Sequence, residues 1–158
     1  LGISGDTPLS IGASVEAGDT GGAGGVVTVR NDSGSIVVHD ITSDGGAPGG
    51  GTAGAGGTIQ LSAATAGSTI GQQGATALLA RSGGTGGADG HLKVDSMGTV
   101  TLTNAGNDVG EATLAAVVRD LGADFSYTDA NALRIGSVAA AGTGAAADAA
   151  VSDLGAGA

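Results

Sequence analysis

The chain has 158 residues, 34 of them Gly, with one Phe, one Tyr, one Met and neither Trp nor Cys; 15 acidic against 5 basic residues give a formal net charge of −10. So few large side chains cannot fill a two-layer core, yet a chain with 41% hydrophobic residues is too apolar for a disordered tail. Arg30, Arg81, Lys93, Arg119 and Arg134 are scattered singly, which argues against nucleic acid and anionic membranes, whose phosphates need grouped cations, and the absence of Cys removes disulfides and thiolate metal sites together.

The first residues, Leu1-Gly2-Ile3-Ser4-Gly5, show neither an initiator Met nor the basic-then-apolar pattern of a signal peptide, so the expectation is a processed product or an excised piece. No run approaches the roughly 18 apolar residues of a membrane span. Strand-like segments then recur: Val27-Thr28-Val29, Ile59-Gln60-Leu61, Leu92-Lys93-Val94 and Phe125-Ser126-Tyr127 follow one another at steps of 32, 33 and 33 residues. A step of that size marks a repeat architecture, in which each unit buries its apolar face by stacking on its neighbours.

A second strand is expected about ten residues after each first one, at Ile36-Val37-Val38, Ser68-Thr69-Ile70, Thr99-Val100-Thr101-Leu102 and Leu133-Arg134-Ile135. Third segments follow at Asp40-Ile41-Thr42, Ala77-Leu78-Leu79-Ala80 and Leu114-Ala115-Ala116-Val117-Val118, the last of which reads equally as a short helix by propensity. Three short strands per repeat make a triangular coil. The glycine-dense stretches Gly45–Gly57 and Gly83–Gly90 bulge between coils, either as flexible loops or as an ordered glycine layer, and leave roughly 20 residues per coil for strands and corners. The tail from Ala139 to Ala158 is almost all Ala and Gly: a weak helix over Ala145–Leu154, a linker, or one more degenerate coil.

The expected fold is therefore all-β: a right-handed parallel β-helix (β-solenoid) of about four to five coils with glycine-rich loops. Residues 1–138 form the solenoid and 139–158 the tail or a degenerate last coil. Val27, Val29, Ile59, Leu61, Leu92, Val94, Phe125 and Tyr127 are expected to stack in core columns, with the two aromatics closing the wider end of the core or facing the groove between strands. Coils rising about 4.8 Å each make an object roughly 20–25 Å tall with a ladder edge open at both ends. Such ends fit a window cut from a longer solenoid or a subunit that stacks end to end.

No catalytic, cofactor or metal site is expected. His39 and His91 lie 52 residues apart without carboxylates at ligand spacing, no Gly-x-Ser-x-Gly elbow occurs, and a triad needs an orienting group and an oxyanion hole. Asp6, Asp19, Asp44, Asp89 and Asp108 sit beside glycines, and calcium is the one metal to weigh. The nearest approach to a calcium nonapeptide, Gly86-Gly87-Ala88-Asp89-Gly90-His91-Leu92, puts its Asp two places early, so turn formation is the stronger reading. Asn104, Asn107 and Asn131 are candidates for inward ladders or corner caps. Five scattered cations are poor equipment for a polysaccharide lyase. Thr99-Val100-Thr101-Leu102-Thr103 supplies a single Thr-x-Thr row, where an ice-binding face needs an array.

The stretch Gly98-Thr99-Val100-Thr101-Leu102-Thr103-Asn104-Ala105-Gly106-Asn107-Asp108-Val109, then Thr113-Leu114-Ala115-Ala116 and the run from Gly122 to Val138, resembles the repeat region of the filamentous haemagglutinin family, bacterial exoproteins exported by two-partner secretion. The likeness is looser over Gly21–Val94, and the chain shows no counterpart of the family's secretion domain, toxin domain or terminal cap. The resemblance implies a β-helix on the bacterial cell surface or in the extracellular matrix, non-enzymatic, mediating attachment or biofilm cohesion. Its expected partners are further coils, other copies of itself, or a host or matrix glycan or protein receptor. The alternative is a self-assembling subunit of an extracellular filament built by end-to-end stacking.

Overall fold

The structure, a computed structural model, describes residues 9–10, 20–109, 113–136 and 152–153. Among them every regular element is a strand: Leu9–Ser10 (β1), Val26–Asn31 (β2), Ile36–Val38 (β3), Ile41–Thr42 (β4), Thr58–Ala63 (β5), Ile70–Gln72 (β6), Leu78–Leu79 (β7), His91–Ser96 (β8), Val100–Leu102 (β9), Thr113–Val118 (β10), Phe125–Tyr127 (β11), Arg134–Ile135 (β12) and Ser152–Asp153 (β13). All pairings between them are parallel. The first sheet has the order β12-β10-β8-β5-β2, with β13 also on β10; the second is β11-β9-β6-β3 and the third β1-β4-β7. From β2 to β8 the chain visits the first, second and third sheets in turn and then returns, and after β9 and β11 it goes back to the first sheet without a third-sheet strand; such crossovers form a parallel ladder without hairpins.

Apolar residues alternate along the strands of the first sheet and hold one register. Val27 pairs with Ile59 and Ile59 with Leu92; Val29 pairs with Leu61 and Leu61 with Val94. Ile59, Leu61, Leu92 and Val94 are fully buried, and Val27, Ile36, Val38, Ile41, Ile70, Leu78, Val100 and Leu102 join them in one cluster. Because each inward side chain lies on its equivalent about 4.8 Å away, a thin core of Val, Ile and Leu excludes water without large aromatics.

The fourth member of these columns is not the one the constant step predicts. Leu92 pairs with Leu114 and Val94 with Ala116, a step of 22 residues rather than 33. Phe125 and Tyr127 instead pair with Val100 and Leu102 in the second sheet, half-buried against the core. The cause is the length of one connection. Ala80 and His91 are joined through a glycine-dense stretch, whereas Asp108, bridged to Leu79, is followed within five residues by Thr113. Phe125 lies eleven residues beyond Leu114, so its spacing of 33 from Leu92 is a coincidence of a short pass and a part of the next.

The same shortening moves other elements. Leu114–Val118 belongs to a six-residue strand of the first sheet and is neither a third-sheet segment nor a helix. Arg134 and Ile135 pair with Thr113 and Leu114 and so form no second-sheet strand. At Ser68-Thr69-Ile70 the strand itself starts at Ile70, although Thr69 O still accepts the Ile36 N–H at 2.9 Å.

The glycine-dense stretches are ordered. Gly24 donates its N–H to Ala55 O at 2.8 Å, Gly56 to Ala88 O at 2.8 Å, Gly46 to Gly22 O at 2.8 Å, Gly83 to Gly54 O at 2.9 Å and Gly57 to Ser43 O at 2.7 Å. Extended segments are thus bonded laterally on more than one side, not in a flat ladder. Gly21, Gly54 and Gly87 recur at 33 residues, and so do Gly24, Gly57 and Gly90. Within each pair the spacing is three, the period of a threefold extended helix. A Cβ on any of the six would run into a neighbouring backbone, so the stretches pack as closely as they do because side chains are absent.

The middle of the first sheet is covered on both sides. Lys93 alternates with the core-facing Leu92 and Val94, yet is only 5% exposed, and Gln60, Ala115 and Val117 are buried as well. Double coverage is usual for parallel sheets. The boundary at residue 138, most of the tail, Asp6 and Asp19 lie outside the described residues; of the tail, Ser152 and Asp153 pair with Val117 and Val118.

Candidate functional site

Several aspartates of the described structure bond backbone N–H groups, most of them on another pass of the chain. Asp40 Oδ1 accepts the Ala77 N–H at 2.7 Å and Asp44 Oδ1 the Arg81 N–H at 2.8 Å, both across 37 residues. Asp120 Oδ2 accepts the Gly67 N–H at 2.6 Å, and Asp89 Oδ1 that of Ser82 at 3.1 Å. Aspartate suits these corners because its short carboxylate reaches a backbone N–H that the turn leaves without a ladder partner. Three arginines are paired with carboxylates: Arg30 with Asp32 at 2.6 Å, Arg81 with Asp44 at 2.5 Å and Arg119 with Asp95 at 2.7 Å. The pairing raises the pKa values of Arg81 and Arg119, chiefly through hydrogen bonds to Asp44 and Asp95.

The two histidines fall in separate places, His91 opening a strand of the first sheet and His39 just after β3. His91 Nδ1 is buried and finds no hydrogen-bond partner. Among the described residues no three His, Asp or Glu side chains gather as metal ligands. Asp44, Asp89 and Asp108 each hold a structural contact: Asp44 and Asp89 as above, and Asp108 by accepting from Asn131 Nδ2 at 3.1 Å.

One corner is polar inside. Asn107 is fully buried; its Oδ1 accepts from the Leu78 N–H at 3.0 Å and from Gln72 Nε2 at 2.7 Å, while its Nδ2 donates to Gln72 Oε1 and Leu102 O, each at 3.0 Å. Four bonds satisfy the amide completely. Asn104 Nδ2 donates to Gln73 O at 2.7 Å and Thr76 O at 3.0 Å, closing the turn beside it. In the next pass, Tyr127 donates its hydroxyl to Asp129 Oδ2 at 2.7 Å, and the same oxygen accepts the Val109 N–H at 3.2 Å. Burial pushes the Tyr127 phenol well above its ordinary range, and the Asp129 carboxylate adds to the effect.

The outer face of the second sheet is exposed at Val37, Thr101 and Ser126. Ile36, Ile70, Val100 and Phe125 stand opposite one another, so the alternate positions Val37, Gly71, Thr101 and Ser126 form an outward column. On one side of it stand Ser35, Thr69 and Thr99; Thr69 Oγ1 donates to Ser35 Oγ at 3.2 Å. On the other stand Thr103 and Thr128, the latter placed by its N–H to Leu102 O at 3.1 Å. The hydroxyls of Thr101, Thr103, Ser126 and Thr128 bond to no other described residue. They make an array with a spacing of about 4.8 Å across strands and roughly 6.6 Å along them. Its lip is a shallow groove of about 410 Å³ lined by Ala75, Thr76, Ala77, Thr103, Asn104, Ala105 and Gly106, without an ionisable side chain. Ala75 there takes φ = +60°, a left-handed conformation uncommon for a side-chain-bearing residue.

From sequence spacing, Thr99-Val100-Thr101-Leu102-Thr103 stands as a solitary row. Its neighbour, Ser126 and Thr128, escapes notice because Phe125–Tyr127 reads as part of the first sheet. The available signal is the alternation of polar and apolar residues in Thr99–Thr103 against Asp124-Phe125-Ser126-Tyr127-Thr128, with hydroxyls at the third and fifth places of both. Comparison of the chain with family models, with curated proteins and with solved structures returned no match.

Proposed function

We propose that the chain is a right-handed parallel β-helical segment of a bacterial surface exoprotein, non-enzymatic and extracellular, that mediates attachment or matrix cohesion through the outer face of its second sheet. The observation that carries the reading is the exposed hydroxyl array on a ladder-built support. Each hydroxyl both gives and accepts a hydrogen bond, and strands held in a parallel ladder carry the array without the entropy that a loop site loses on binding. The resemblance of Gly98–Val138 to filamentous haemagglutinin repeats supports the same reading. So does the charge: with three cations paired to aspartates and a net charge of −10, the face suits an uncharged polyhydroxylated partner better than a sulfated or uronic one.

The test is binding of the immobilised chain to neutral and acidic polysaccharides, beside a variant in which Thr101, Thr103 and Ser126 are changed together to Val. Retention of a neutral glycan that the variant loses, with the β circular dichroism spectrum unchanged, is the expected result. Equal binding by both chains removes the face from the mechanism, and failure of the chain to bind any glycan or to coat bacterial cells refutes attachment.

A further inference from the structure

A turn follows the second-sheet strand in two consecutive passes, and the groove beside the hydroxyl array lies between the two turns. In the first turn Thr76 donates its hydroxyl to Gln73 O at 2.6 Å, across Gly74 and Ala75. In the second the Asn107 N–H donates to Asn104 O at 3.1 Å, across Ala105 and Gly106. Asn104 ties one to the other, since its Nδ2 donates to Gln73 O at 2.7 Å and to Thr76 O at 3.0 Å. Only the nitrogen of an amide can meet two carbonyls, so these bonds fix which way the side chain faces. Asn104 Oδ1 is thereby held as an acceptor that no described residue supplies with a donor, and the neighbouring Thr103 hydroxyl is equally uncommitted. The rest of the lining, Ala75, Ala77, Ala105 and Gly106, offers methyl groups and bare backbone. The turn that presents Ala75 does so at φ = +60°, the kind of backbone strain that collects at ligand sites.

We infer that this groove binds the acetamido group of a neutral N-acetylated amino sugar, and so selects such units within a glycan lying on the hydroxyl face. The inference rests on the attachment reading above and narrows its ligand. An acetamido group brings an N–H, a carbonyl oxygen and a methyl group in one small planar unit. Asn104 Oδ1 takes the N–H, the Thr103 hydroxyl donates to the carbonyl, and the methyl lies among Ala75, Ala77 and Ala105. A plain sugar hydroxyl meets either polar group but sets an oxygen, with no partner for its remaining bonds, against the methyl wall. A deacetylated amino sugar loses the carbonyl and the methyl together, and its ammonium finds no carboxylate in the lining. The groove volume of about 410 Å³ stands near the low end of the roughly 300–1,000 Å³ of small-molecule sites, which is room for one sugar unit. The hydroxyl array then carries the units on either side.

The experiment is saturation-transfer NMR on the intact chain, with N-acetylglucosamine, glucosamine, glucose and N-acetylalanine amide as probes. The expected result is strongest saturation at the acetyl methyl protons of N-acetylglucosamine, with glucosamine and glucose bound about tenfold more weakly or less. Gly106→Val fills the groove without disturbing its walls, because a Cβ at 106 stands 3.6 Å from Ala77 Cβ, an ordinary contact; the melting profile persists and the N-acetylglucosamine signal is lost. Thr103→Val weakens the signal and Thr103→Ser, which keeps the hydroxyl, restores it. Equal signals from the three sugars, a Gly106→Val chain that binds like the parent, or equal binding by Thr103→Val and Thr103→Ser overturns the inference. A preference for N-acetylalanine amide over N-acetylglucosamine overturns it too, and makes the groove a peptide site. In each of these cases, retention of a neutral polysaccharide by the immobilised chain leaves the attachment reading standing, whereas a chain that binds neither sugars nor polysaccharide sinks both.

Discussion

Gly57→Ala adds one methyl group at a crowded point of the glycine stretches. The new Cβ would meet Gly25 O and Ser43 Oγ far inside contact distance, and Gly24 C at 2.8 Å. Two of these neighbours are backbone, so relief requires that adjoining passes move apart. Three hydrogen bonds lie in that gap: Gly57 N–H to Ser43 O at 2.7 Å, Thr58 N–H to Gly25 O at 3.0 Å and His91 N–H to Gly57 O at 2.8 Å. Stretching them forfeits about 1 kcal/mol each, and overpacking strain adds roughly 1–3 kcal/mol, so the expected loss is about 4–6 kcal/mol. Gly71→Ala is the matched control, because a Cβ there meets nothing within 4 Å. It lies in β6, where a glycine weakens a strand, and alanine should be neutral or stabilise by up to about 1 kcal/mol. Urea unfolding followed by far-ultraviolet circular dichroism reads both. Equal midpoints for Gly57→Ala and the parent chain would show that the glycine stretches do not pack against one another as described.

Leu92→Asp and Leu61→Asp each bury an unpaired carboxylate in a column with no exposure, and several kcal/mol of destabilisation is expected; an unchanged melting temperature contradicts the columns. Asn107→Leu strands the Leu78 N–H and the Gln72 amide, so a loss of roughly 2–5 kcal/mol is expected by chemical denaturation, whereas Asn104→Ala, at the more exposed turn, should cost less. Arg119→Ala removes a pair whose members are 41% and 18% exposed; solvent screening limits its effect to about 1 kcal/mol or less, shrinking further in high salt. Tyr127 has a folded-state pKa raised above the unfolded value of about 10. Its contribution is therefore fully present below that pH and is lost as pH rises, since the unfolded chain ionises first. As the only Tyr of the chain, it reports by its own ultraviolet absorbance: tyrosinate should emerge together with alkaline unfolding, and ionisation near pH 10 in a folded chain would refute the burial.

The columns of the first three passes are legible in the sequence because nothing there interrupts the period. Val27, Ile59 and Leu92 are set by alternation and by two nearly equal steps. Legibility fails where connection length changes, since a period measured in residues cannot tell a stacked strand from one displaced around the corner. Leu114 is the true neighbour of Leu92, yet Leu114–Val118 is rich in Ala and Leu and lacks the polar alternation of β8, so helical propensity competes with strand there. The partner row of the hydroxyl array is lost through the same slip. Lys93 misleads for another reason: alternation places it outward, but whether an outward position faces water depends on a covering layer that the strand's own pattern does not encode. Asp44 and Asp89 fare better, because a carboxylate at a corner accepts the same kind of backbone bond whatever lies across the turn.

The unequal passes also separate two jobs. The pass from Leu92 to Leu114 lacks a glycine-dense stretch, yet β8 and β10 pair over the same six positions as β5 and β8. Sheet register therefore does not depend on the glycine excursions, whose lateral bonds are largely among themselves and with the residues at their bases. Their composition is fixed by their own packing: at Gly54 a Cβ would collide with the Gly22 backbone, and at Gly87 it would stand 2.5 Å from Gly54 O. An excursion that is self-packed can be gained or lost by one pass without disturbing the columns beneath it. The cost falls on the neighbouring excursion, which then exposes the face that an absent layer would have covered. Among the described residues that face belongs to Ser82–Gly90, whose other side packs on the preceding stretch.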